Sequence, residues 1–111
     1  MKRVRNRDAG NLIGEREEFY GSHFSGTIER DAWGTGMLEG PELTDYRDAF
    51  KGGPVYVVRS YATPIAWTPA TGPLSWTVPT TTYSPTTTQH QHTVRYAVRR
   101  AAVAARVAVL V

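Results

Sequence analysis

Val55-Tyr56-Val57-Val58-Arg59-Ser60-Tyr61 is the most strand-like run in the chain, bounded by Gly52-Gly53-Pro54 before it and Thr63-Pro64 after it. β-Branched and aromatic residues fill it, and these suit a pleated, packed surface. Its apolar residues follow one another with little alternation, so the strand is expected to be covered on both faces and to lie centrally in its sheet. Downstream, Ile65-Ala66-Trp67 and Trp76-Thr77-Val78 flank Pro69-Ala70-Thr71-Gly72-Pro73. Those turn residues predict a hairpin with the two tryptophans as cross-strand neighbours. Pro64 has no amide donor and is expected at the start of its strand or on an edge.

Upstream, Phe19, Tyr20, Phe24, Thr27 and Ile28 favour strand between Phe19 and Glu29, although Gly21 and Gly26 interrupt the alternation. Trp33-Gly34-Thr35-Gly36 reads as a turn. Pro41 suits a first helical turn, Glu42 and Asp45 suit the positive end of a helix dipole, and Gly52 is a stop. A short helix is predicted over about 41–51, with Leu43, Tyr46, Ala49 and Phe50 on one face that docks on the sheet.

After a threonine-rich linker from Thr80, a long helix is expected over about 86–109. Two starts compete: Ser84 capping with Pro85 at the first position, or Thr86 with Gln89 as a capping box. Val94, Val98, Ala101, Ala105 and Ala108 form an apolar stripe, while Arg95, Arg99 and Arg106 project within about 40° of one another on another face. The terminal run from Val103 is apolar nearly all round, which predicts burial or pairing with a second copy of the chain.

These elements give an α+β fold: a small, mostly antiparallel sheet of three or four strands, a short helix and a long C-terminal helix. With 111 residues there is room for one core. Residues 1–18 are polar and are expected to be a flexible leader, with the domain spanning 19–111. There is no cysteine, so disulfides, thiolate metal sites and a cysteine nucleophile are excluded. The basic start Met1-Lys2-Arg3-Val4-Arg5-Asn6-Arg7 is followed by no apolar segment of the kind a secretory signal needs, and the most apolar stretch is about half the roughly 20 residues of a membrane span. The expectation is a cytoplasmic protein without a membrane partner.

Charge is divided along the chain. All ten acids lie at or before Asp48, whereas Lys51, Arg59, Arg95, Arg99, Arg100 and Arg106 stand in a second half with none. Such asymmetry signals an anionic partner, or attraction between the two halves inside the fold.

Ser60-Tyr61-Ala62-Thr63-Pro64-Ile65-Ala66-Trp67, followed by Tyr83-Ser84-Pro85-Thr86-Thr87-Thr88-Gln89-His90-Gln91, resembles a small uncharacterised domain of actinobacteriophages and their hosts. Gly14, Phe19, Gly21 and Trp33-Gly34-Thr35-Gly36 resemble that family's leader, and the likeness extends over roughly residues 11–100. Pro85 stands where an aliphatic residue is usual and Gln89 where a basic one is. The resemblance implies a phage or prophage origin, hence a host bacterial cytoplasm, and supplies no reaction and no catalytic residue.

Catalytic and metal constellations are missing from the sequence. His90 and His92 would lie about 200° apart on a helix and His23 is remote, so no metal site is expected; His90 is expected to hydrogen-bond near Tyr83. Glu15, Glu17 and Glu18 read as a solvated run, and the serines lie in no nucleophile elbow. The expectation is a non-catalytic binding module without a cofactor. Thr86, Thr87 and Thr88 at a helix start can hold a phosphate while Arg95, Arg99 and Arg106 reach its neighbours, which favours DNA or RNA. The alternative is a host bacterial protein, bound through Trp33, Val107 and Leu110, since aromatic residues anchor such interfaces.

Overall fold

Alternation along one strand organises the molecule. In the computed structural model, which describes the backbone of residues 2–110 and the side chains of residues 2–104, β4 (Val55–Ser60) lies between β3 (Phe24–Glu29) and β5 (Thr63–Pro69), antiparallel to both. All six of its residues are buried. Val55 and Val57 belong to one apolar cluster, Tyr56 and Val58 to the other. The first is covered by α2 (Gly40–Ala49), whose Tyr46 meets Trp67 edge-on at 5.1 Å between ring centroids. Onto the second pack Ala9 and Ile13 from α1 (Ala9–Gly14) and Val94 and Ala97 from α3 (Pro85–Leu110). Helices therefore sandwich the sheet.

The architecture is α+β with a mostly antiparallel sheet, as expected, and the described residues form five strands rather than three or four. Spatial order follows the chain, β1 (Lys2–Arg3), β2 (Phe19–Tyr20), β3, β4, β5, and only β1 and β2 run parallel. α1 is the crossover between that pair. Pro64 lies on the edge strand, where a missing donor costs no ladder bond. Val58 pairs with Ala66 and Arg59 with Pro64, which leaves Ile65 as an extra residue, and both Ile65 and Ala66 join the same apolar cluster.

Two expectations are corrected. The predicted hairpin shrinks to a single bridge in which Trp67 and Thr77 exchange backbone hydrogen bonds of 3.0 and 2.9 Å. Trp67 sits in the α2-side cluster while Trp76 packs against the α1/α3 side, edge-on to Tyr56, so the tryptophans are not neighbours on one face. Residues 1–18, expected as a leader, instead contribute β1 and α1, with Ala9 and Ile13 completely buried. Ala9 and Ile13, with half-buried Val4 and Leu12 packed against the same cluster, suffice, because α1 is short and has small residues facing α3. A methyl group on Gly14 would stand 3.9 Å from the Ala101 Cβ, and one on Gly10 4.0 Å from the Ala97 Cβ.

Candidate functional site

The start of α3 decides which side chains are available. Ser84 is the cap: its Oγ accepts from the Thr87 amide at 3.1 Å, its carbonyl accepts from the Thr88 amide at 2.8 Å, and Pro85 opens the helix. Thr87 is buried, and its hydroxyl meets Ser60 Oγ at 2.9 Å and Ser84 Oγ at 3.1 Å. It is therefore withdrawn from the expected phosphate site. The Thr88 hydroxyl donates to the Ser84 carbonyl at 3.0 Å, and Thr86 alone of the three is fully exposed.

His90 is also buried, and its partners are Ser60 and Asn6 rather than groups near Tyr83. Nδ1 lies 2.7 Å from Ser60 Oγ, Nε2 lies 3.2 Å from Asn6 Nδ2, and the ring stacks on Phe24 with centroids 4.4 Å apart. The proton positions follow from Asn6. Its Oδ1 accepts from the Ser22 amide at 3.1 Å and its Nδ2 donates to the Ser22 carbonyl at 3.1 Å, which fixes the amide orientation. Nδ2 is thus a donor toward His90, Nε2 is the acceptor, and the imidazole carries its proton on Nδ1, facing Ser60. Burial, with a smaller contribution from His23, holds the His90 pKa below its usual value. The arrangement superficially matches a nucleophile beside a base. Here the ring donates to a serine that is itself buried, so it has no vacant nitrogen with which to take the hydroxyl proton.

This cluster explains why the two sequence motifs occur together. Ser60 comes from the first, and Ser84, Thr87 and His90 from the second; they meet where the end of β4 abuts the start of α3.

The basic surface is assembled from both ends of the chain. Arg3, Arg5, Arg7 and Ser22 line one open cleft that contains no acid. Arg7 also enters the adjoining groove between α1 and α3, with His92, Tyr96 and Arg100; Asp8 and Glu15 stand on its α1 wall. The Arg3 guanidinium lies 5.7 Å from the Tyr20 ring and that of Arg100 5.7 Å from the Tyr96 ring. Among the described residues the ion pairs are Lys51–Asp48 and Arg59–Glu29, so none of these surface arginines has an acid within pairing distance. Arg99 is exposed and Arg95 half-buried, and neither lines these clefts. Arg106, Val107 and Leu110, and with them the proposed pairing of C-terminal helices, lie outside the described side chains. The sequence reading missed Arg3, Arg5, Arg7, Tyr96 and Arg100 as a group. The available signal was a run of four cations in residues 2–7 before the first acid, Asp8.

Trp33 is 64% exposed, as its selection for a contact surface requires, and Met37 on the same loop is equally so. Behind Trp33 lies the Arg59 guanidinium, 5.1 Å from the ring centroid.

One family profile matches residues 8–104, that of a family of unknown function, DUF8033. The chain belongs to this family. The match takes in both motifs, the buried side chains they contribute and the groove between α1 and α3 apart from Arg7; Arg3, Arg5, Asn6 and Arg7 precede it. No curated protein and no solved structure is similar enough to match it. Among the described residues no helix is long and apolar enough to cross a membrane.

Proposed function

We propose that this domain is a non-catalytic binding protein that takes nucleic acid on the surface shared by its N-terminal segment and α3. One observation carries the reading: Arg3, Arg5 and Arg7 line a cleft whose lining holds no acid, Arg7 and Arg100 line the groove beside it, and among the described residues none of the four has an acid within pairing distance. Cations left free in this way bind phosphates by releasing condensed counterions. The groups at the start of α3 serve the fold instead, apart from exposed Thr86, while Arg99 and Arg95 extend the positive field along the helix. The motifs' likeness to a phage-type domain is compatible with such a role.

Anisotropy of labelled oligonucleotides at about 50 and 200 mM salt tests the reading. Contacts by Z cations make log K fall with log salt at a slope near −0.9Z on duplex and about −0.7Z on single strands, so two to four contacts give about −1.8 to −3.6 on duplex and about −1.4 to −2.8 on single strands. Arg5→Ala/Arg7→Ala should weaken binding more than Arg95→Ala/Arg99→Ala. Failure to bind at 50 mM salt overturns the proposal.

A second reading rests on the exposed Trp33 and Met37, a pair suited to a protein partner. In that case Trp33→Ala abolishes capture of a host protein while the arginine substitutions leave it intact.

A further inference from the structure

We infer that the nucleic acid is held as a single strand, with one base stacked on the exposed His23/Tyr61 pair; this rests on the reading just proposed. The rings of His23 and Tyr61 lie parallel, 4.6 Å between centroids and 15° between planes. Tyr61 is 53% exposed and His23 is exposed, so neither ring is there to fill the core. The two turns that carry them are joined by a 2.7 Å bond from the Tyr61 amide to the His23 carbonyl.

Both residues have left-handed backbones, φ 55° at His23 and 56° at Tyr61. Glycine takes that conformation freely, whereas a bulky L-residue there is strained. Tyr61 thus stands in a costly conformation with half its side chain in water, and its contribution to folding is an exposed stack on another strained residue. The arrangement does present flat aromatic surface beside the arginines. Ser22, next to His23, lines the acid-free cleft, and its amide and carbonyl are both bonded to Asn6, between Arg5 and Arg7. The aromatic turn and the arginine segment are therefore fixed to each other.

Phosphates at Arg3, Arg5 and Arg7 place the adjoining nucleotide at this stack. An unstacked base of a single strand offers its face to the rings, whereas inside a duplex neighbouring pairs cover both faces, and stacking on aromatic rings tolerates any base identity. A duplex would use the arginines and leave the rings idle.

The experiment compares three probes on the full chain at 50 mM salt: a 12-nucleotide oligothymidylate, an abasic 12-mer of equal charge, and a 12-base-pair duplex. Abasic DNA should bind about fivefold or more weakly than oligothymidylate. Tyr61→Gly should weaken oligothymidylate by a similar factor without lowering the unfolding temperature, and should leave the abasic and duplex affinities unchanged; Tyr61→Phe should bind as the parent does. Equal binding of abasic and intact strands, or unaltered binding by Tyr61→Gly, overturns the inference while arginine- and salt-dependent binding keeps the broader reading. Absence of binding to all three probes overturns both. If Tyr61→Gly fails to fold, the abasic comparison on the parent chain decides.

Discussion

Arg59 and Ser60 are neighbours on β4, face opposite sides of the sheet and anchor buried polar clusters of different kinds. On the α2 side the cluster is charged. Arg59 pairs with the Glu29 carboxylate, donates to the carbonyls of Trp33 at 2.9 Å and Gly34 at 3.3 Å, and donates to the Tyr46 hydroxyl at 2.8 Å. Glu29 also accepts from the Thr27 hydroxyl at 2.7 Å. Tyr46 in turn donates to the Trp33 carbonyl at 3.0 Å, and burial pushes its pKa up to about 12, Arg59 opposing and Glu29 adding to the shift. On the α1/α3 side the cluster of Ser60, Thr87, His90 and Asn6 is neutral. The charged cluster fixes the loop between β3 and α2; the neutral one joins the first residues of the chain to α3. Strength of attraction and reach along the sequence are thus assigned to opposite faces.

Substitutions sharpen this contrast. Arg59→Ala should have the largest effect, about 3–5 kcal/mol lost in urea unfolding, because it strands the Glu29 carboxylate in the interior. Arg59→Met/Glu29→Leu should recover most of that loss; failure to do so would mean that the carbonyl contacts, rather than the charges, dominate. Ser60→Ala should cost about 1–3 kcal/mol, since it leaves the His90 Nδ1 proton without an acceptor. A loss as large as that of Arg59→Ala would erase the distinction between the faces.

The pH dependence separates the clusters more finely. His90 has its pKa lowered in the folded protein, so between that value and about 6.5 the unfolded chain binds more protons and stability rises with pH. Its contribution is complete above about 6.5 and is lost as pH falls through the folded pKa. Urea midpoints between pH 7.5 and 5 should decline accordingly, and His90→Gln should lose most of that slope. If the slope persists in the variant, another group governs it.

The elements legible in the sequence were those whose neighbours are local. β4 was readable from Val55 to Ser60 because its composition is uniform, and α2 because Leu43, Tyr46, Ala49 and Phe50 recur at helical spacing. α1 was not, since its burial consists of Ala9 and Ile13 against a helix that begins at Pro85. The α3 stripe was traced through Val94, Val98 and Ala101, yet the most buried positions beyond Val94 include Ala97, an alanine indistinguishable by composition from its exposed neighbours. The phosphate set failed at Thr87 for a similar reason: a capping threonine and a buried one look alike until Ser60 arrives beside it. Arg7 and Arg100 are far apart in the chain and became one surface only when α1 docked.

The bond from Asn6 to His90 spans 84 residues, and this separation sets the order of events during synthesis. β1 and α1 are made before α3, the surface on which they come to rest. Until α3 is made, Ile13 lacks Val94 and Ala97 of its cluster, and Asn6 has its bonds to Ser22 but not the one to His90. β3, β4 and β5, joined by nearby pairings, can close beforehand. β1 and α1 are therefore older than α3 in each new molecule, yet settle only after it.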